Sequence, residues 1–292
     1  MSSNPQQTAY YDENGSPRLV RSYCVFVDFL GFRHEIKTAV QSGKEEEIFH
    51  RFMRTVEPEI QRIIVPSDDD TLEGWPRMWD AKVFTDNVVL GYALWSGHGE
   101  NEFGHALFQL LEFQLSVALQ GHFVRGGWAV GKLFMNQNTV YGTALIDAYD
   151  LESKEADVPR ILLSAEMKDF VFRHMAFHSE PPQCEHLMID GKGAVMTNYL
   201  SETVVDGGVE WAMLEQHAKV ITERLTEHAG SERVRSKYLW LASYHNHFCD
   251  LVQNGEGYSD VVRVQGEFPD FGIRCLRRED SPYPPSAKKA WQ

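Results

Sequence analysis

Positive charge is scarce in this 292-residue chain. Lys and Arg number 28 against 42 Asp and Glu, a formal net charge of −14, which opposes broad contact with a nucleic-acid backbone or an anionic membrane surface. No nucleic-acid partner is expected, and an anionic substrate has to be held by metal ions and a few placed basic groups rather than by the overall field. Cysteine is scarce too. Cys24, Cys184, Cys249 and Cys275 lie far apart, with no Cys-x-x-Cys pair and no zinc-finger spacing, so they read as reduced thiols of a cytoplasmic protein. No stretch reaches the ~18 consecutive apolar residues of a membrane span. The polar start MSSNPQQTAYYDENGSPRLV lacks the basic and apolar regions of a signal peptide, so no membrane partner is expected. There is no internal repeat.

What is present is the material of a core: 43% hydrophobic residues, 12% aromatic, seven of them Trp. Residues 1–20 read as a flexible lead-in ending at Gly15-Ser16-Pro17. Tyr23 to Phe29 then reads as a buried strand stopping at a turn on Gly31. Ile48, Phe49, Phe52, Val56, Ile60 and Ile63 recur at helical spacing over 45–64, and 66–77 reads as a loop. Residues 79–95 read as a hairpin with its tip at Asp86. A helix over 104–119, a glycine-punctuated strand over 123–133, a short extended segment over 139–142, a helix over 143–153 and a strand over 160–164 follow. The expected fold class is therefore α/β in the α+β sense, a mixed and mainly antiparallel sheet flanked by helices. One domain is expected over 21–202, an accessory helical layer over 203–264 and a Pro- and charge-rich tail over 265–292.

Two carboxylates, Asp28 and Asp86, thus end neighbouring strands. Hard divalent cations take oxygen ligands, and two such ions can clamp the attacking and departing oxygens of an in-line phosphoryl displacement. Taken singly, either Asp is equally a turn or capping residue. VFVDFLGF at 25–32, KVFTD at 82–86, and VRGGWAVG at 124–131 followed by VYGTALIDAYDLES at 140–153 together resemble the class III adenylate and guanylate cyclases. The resemblance implies Asp28 and Asp86 as ligands of two divalent ions, Mg or Mn. It implies the backbone amides of Phe29, Leu30, Gly31 and Phe32 as a cradle for the β- and γ-phosphates, and Arg125 as a triphosphate ligand. Lys192, in MIDGKGAVMTNYL, loosely resembles a later Lys-Gly that reaches phosphate, and otherwise reads as a surface turn.

Lys82 and Thr139 stand where adenylate cyclases carry a base-reading Lys and Asp. A Thr hydroxyl is not the charged acceptor that adenine's amino group meets, and a Lys at 82 does not fit the guanine pattern either. Two donors facing a carbonyl-rich base favour uracil, then cytosine. Ile146 and Asp150 replace the family's transition-state Asn and Arg, a role that Arg33 or Lys132 would then have to fill. Among family members these departures are most similar to the pyrimidine cyclases of bacterial anti-phage signalling (Pycsar). The implied reaction is UTP to 3′,5′-cyclic UMP and pyrophosphate in a homodimer with composite active sites. Cytidylate or adenylate cyclase activity and a degenerate, non-catalytic nucleotide-binding dimerisation module are the alternatives. His245, His247 and Cys249 read as packing residues rather than a zinc site, and Trp75, Trp79, Trp95 and Trp128 as core or interface. Gly126-Gly127 and Gly131 lack the spacing of a dinucleotide fingerprint.

Overall fold

The computed structural model describes residues 9–64, 79–94, 99–178 and 181–284. The loop at 66–77, Trp75 and Trp95 lie outside the described residues. β1 (Val20–Phe29) runs through the middle of the sheet, paired antiparallel with β3 (Asn87–Ala93) and β4 (Val124–Met135). β2 (Asp80–Phe84) joins β3 through a two-residue turn at Thr85-Asp86. β6 (Ile161–Leu163) lies parallel to β4, and β8 (Val195–Thr197), β7 (Leu187–Ile189) and β11 (Arg274–Cys275) extend the sheet in the order β11-β7-β8-β6-β4-β1-β3-β2. Among the described residues every strand pairing except β4 with β6 is antiparallel, as expected. β5 (Val140–Tyr141) pairs off the end of β4, β9 (Val204–Val205) and β10 (Gly208–Val209) pair with each other, and the short α6 (Gln183–His186) leads into β7.

Strand side chains alternate between faces, and β1 uses the alternation fully. Tyr23, Val25, Val27 and Phe29 enter a large core together with Val88, Leu90, Tyr92 and Trp128 of the neighbouring strands. That core is closed by α2 (Glu45–Ile64), α3 (Glu100–Leu119), α5 (Ala165–Met175), α7 (Trp211–Glu227) and α8 (Glu232–Val252). The helices after residue 206 therefore share the core of the sheet rather than forming a separate layer. Cys24 and Phe26 face the other way, with Val89, Ala129 and Leu133, under α4 (Thr143–Lys154). That helix comes close because β4 presents small residues to it: a Cβ on Gly127 would lie 2.3 Å from the Ala148 carbonyl oxygen.

Both chain ends depart from expectation. Tyr10, read as lead-in, is buried against the sheet with Leu133 and Met135. The stretch from 265, read as a tail, places Ile273 and Leu276 in the core and adds β11 to the sheet edge through Cys275 opposite Met188. Two paired residues are too few to show a period of two. Among the described residues no helix is long and apolar enough to cross a membrane, and the four cysteines are free thiols.

Candidate active site

Register brings the two aspartates together. Asp28 lies opposite Asn87 on β3 and Arg125 on β4, and the Phe29 amide donates to the Asp86 carbonyl (2.9 Å). Both carboxylates therefore line one cleft of about 970 Å³, whose wall continues through Gly31, Phe32 and Arg33 at the start of α1 (Phe32–Ser42). Asp86 sits on a strained tip: Thr85, a β-branched residue, adopts φ 57°, and its hydroxyl donates to Asp86 Oδ1 (2.8 Å), as does Asn87 Nδ2 (3.1 Å). Gly31 before α1 has φ 84°, a conformation that suits glycine.

Arg125 is the hub. Its Nε donates to Asp28 Oδ2 (2.9 Å), and Nη2 pairs with Glu152 of α4 at 2.8 Å. Burial raises the Asp28 pKa above the ordinary carboxylate value, Arg125 pulls it back and the Asp86 charge pushes it up again. Glu152 is shifted upward by its own burial, again opposed by Arg125. Asp28 Oδ1 and Asp86 Oδ2 have no hydrogen-bond partner among the described residues. Two crowded carboxylates, each with an oxygen left over, are a hard-oxygen donor set. Among the described residues no three His, Cys, Asp or Glu side chains converge to hold a metal. The set thus fits a hard ion such as Mg²⁺, which binds through one or two carboxylates and completes its shell with water and phosphate oxygens.

Of the four amides in the expected cradle, those of Phe29 and Leu30 are spent on the carbonyls of Asp86 and Phe123. Strand pairing continues to the last residue of β1 and uses them up. The amides left over at the helix start are those of Gly31, Phe32 and Arg33.

The expected base-reading pair, Lys82 and Thr139, lies elsewhere. Lys82 lines a second groove of about 530 Å³ with Phe26, Phe84, Val140, Ile146 and Tyr149, and its Nζ donates to the Gln137 carbonyl (2.8 Å). Thr139 is exposed beside it, with its amide on Asn136 Oδ1. The groove is rimmed by large exposed apolar side chains, Ile146 (59%), Tyr149 (50%), Phe84 (49%) and Val83 (46%). Asp150 is occupied by Lys154 at 2.8 Å. Lys192 is an exposed turn residue between β7 and β8, across β6 and β4 from Asp28, and lines neither cavity. Lys132 lies opposite Arg21 on β1, whereas Arg33 does line the cleft.

Three groups were not singled out from the sequence: Glu152, Arg233 and Lys237, the last two reaching the cleft from α8. Glu152 sits in the LES motif at 151–153, which marks the end of α4 but assigns no role. Arg233 and Lys237 are four apart, so a basic pair on one helix face was legible, but nothing local tied it to Asp28. With them the cleft is lined by five Arg and Lys, at 33, 37, 125, 233 and 237, against the carboxylates of Asp28 and Asp86. The site is cationic in an acidic protein.

No family model matches the chain, and no curated protein matches it. Among solved structures the chain is similar to the crystal structure of an adenylate/guanylate cyclase/hydrolase from Silicibacter pomeroyi, at 12% identity and a TM-score of 0.35, covering 61% of this chain and 95% of that one. Similarity of that degree carries no argument about what this chain does.

Proposed function

We propose that the chain is a metal-dependent nucleotide cyclase that takes a nucleoside triphosphate, UTP before CTP or ATP, and releases the 3′,5′-cyclic mononucleotide and pyrophosphate. The observation that carries the proposal is the convergence of Asp28 and Asp86 on a cleft lined by cations and by the open amides of a helix start. Anionic phosphate is what such a helix start and such cations recognise. The spare oxygens of Asp28 and Asp86 would hold the divalent ions. When bound, these supply a lowered pKa at the ribose 3′-hydroxyl and charge neutralisation on the triphosphate. The chain's own part is positioning: Arg125 fixes the Asp28 carboxylate through its Nε, and the amides of Gly31, Phe32 and Arg33 point at the phosphates.

Among the described residues the Asp28–Asp86 cleft and the Lys82 groove share no lining residue. The apolar rim around the groove supports a homodimer in which one subunit's groove completes the other's cleft, with Lys82 and Thr139 acting across the interface. A second messenger made this way would serve anti-phage signalling in the cytoplasm. The test is incubation of the purified protein with each of the four ribonucleoside triphosphates and Mn²⁺, reading cyclic mononucleotide and pyrophosphate together. Cyclic UMP is the expected main product. Cyclic AMP alone overturns the pyrimidine reading, and no product from any triphosphate overturns the enzyme.

A further inference from the structure

We propose that Arg233 and Lys237, on the first two turns of α8, grip the polyphosphate of the substrate, so that the C-terminal helices complete the active site. The inference rests on the triphosphate reading above and gives that site a second wall.

Four residues apart on a helix, the two side chains leave one face of α8 together, and both line the Asp28–Asp86 cleft with Val234 between them. Lys237 is half-buried, and among the described residues neither its ammonium nor the Arg233 guanidinium has a hydrogen bond or an ion pair. Asp28, the carboxylate whose charge acts most on Lys237, already faces a second cation, because its Oδ2 accepts from Arg125. The other half-buried lysines among the described residues are engaged, Lys82 on the Gln137 carbonyl and Lys168 on the Gly193 carbonyl. Burial and the neighbouring charges of Arg125 and Arg233 all bear down on the Lys237 pKa, with Asp28 pulling the other way. Holding an unpaired cation among other cations, half out of water, is unfavourable unless an anion arrives. A polyphosphate bound to Asp28 and Asp86 through divalent ions is such an anion. The same pair supplies positive charge that Ile146 and Asp150 of α4 do not.

The probe is inorganic triphosphate with Ca²⁺, titrated calorimetrically into the full chain and into Arg233→Gln, Lys237→Gln, the double variant and Lys237→Arg. Each Gln variant is expected to weaken binding by roughly tenfold or more, with Lys237→Arg close to wild type and the thermal midpoint unchanged. Steady-state kinetics with UTP should show the loss mainly in KM. Wild-type affinity in the double variant overturns the proposal, as does failure of the wild-type chain to bind the probe. If the Gln variants lose their fold, Lys237→Arg and Arg233→Lys replace them, and weakened binding by Arg233→Lys, which loses the planar fork, supports it while unchanged binding of both overturns it. A wild-type chain that binds triphosphate through these residues yet cyclises no nucleotide sinks the cyclase reading and leaves this one. Cyclisation with an unchanged KM in the double variant does the reverse.

Discussion

Along β1, Tyr23, Val25, Val27 and Phe29 enter a core closed by α2, α3, α5, α7 and α8, whereas Cys24, Phe26 and Asp28 face the side that carries α4. The first face is wide, aromatic and dry, with Trp128 stacked on Phe103 at 5.3 Å and Tyr23 edge-on to Trp128. The second has a small core of its own, then the Asp28–Arg125–Glu152 cluster and exposed Ile146 and Tyr149, the latter edge-on to Phe26. One strand thus assigns stability and chemistry to alternate residues. Changes on the first face should cost folding, and changes on the second should cost activity or assembly.

The largest effect expected from breaking that division lies at two adjacent residues. Asp28→Ala should lower turnover at least roughly a thousandfold, since it removes a proposed metal ligand worth several kcal/mol to the transition state. Its thermal midpoint should stay within a few degrees of wild type, because the lost carboxylate was crowded by Asp86 as well as paired to Arg125. Asp86→Ala should behave alike. Val27→Ala should do the opposite, costing about 2 kcal/mol of stability through the cavity it leaves while the folded fraction keeps its kcat. Activity assays beside thermal melts read both. A Val27→Ala chain that is stable but inactive, or an Asp28→Ala chain that unfolds, would break the division.

Much of this is legible in the sequence. The β-branched and aromatic run Tyr23–Phe29, the period of 3.6 through Ile48–Ile63 and the polar break at Thr85-Asp86-Asn87 each fix an element, and the structure has all three. The convergence of Asp28 with Asp86 needs only the register of adjacent strands, which a tight hairpin sets. Other features depend on long-range packing. Arg233 and Lys237 read as a solvated basic face until α8 is laid against the cleft. Glu152 reads as the end of a helix until Arg125 reaches it across the strand. The packing of Ile273 and Leu276 is carried by single side chains between prolines and charges, where no pattern repeats.

A smaller effect should sharpen the comparison at the groove. Ile146 and Tyr149 are large, apolar and half or more exposed, and a face of that kind beside a cavity is where a second copy would bury surface. Ile146→Asp or Tyr149→Asp should convert a dimer to monomer in sedimentation and lower activity by roughly tenfold or more, at unchanged monomer stability. A wild-type chain that sediments as a monomer while fully active would remove the composite site from the proposal.

The smallest effect concerns the first face alone. Inside it the His245 Nε2–H donates to the Val262 carbonyl (2.7 Å), so in the neutral ring Nδ1 must accept. His217 Nδ1, 2.9 Å away, therefore donates to it, and His217 Nε2 accepts from the Tyr199 hydroxyl (2.8 Å). Every ring nitrogen is satisfied with both histidines neutral, and a proton added at His245 Nδ1 sets two N–H groups against each other in a buried site. Burial depresses both pKa values below their ordinary 6.5, and His122 falls to about 4 for the same reason. The unfolded chain therefore binds more protons than the folded one below pH 6.5, so stability is full above that pH and is lost as pH falls toward the folded-state values. The thermal midpoint should be flat from pH 8 to about 6.5 and drop by several degrees, on the order of 5 °C or more, by pH 4.5. His217→Gln, which lacks a titrating ring, should flatten that slope from a lower starting midpoint. A slope that the His217 substitution leaves untouched would place the acid sensitivity outside this face.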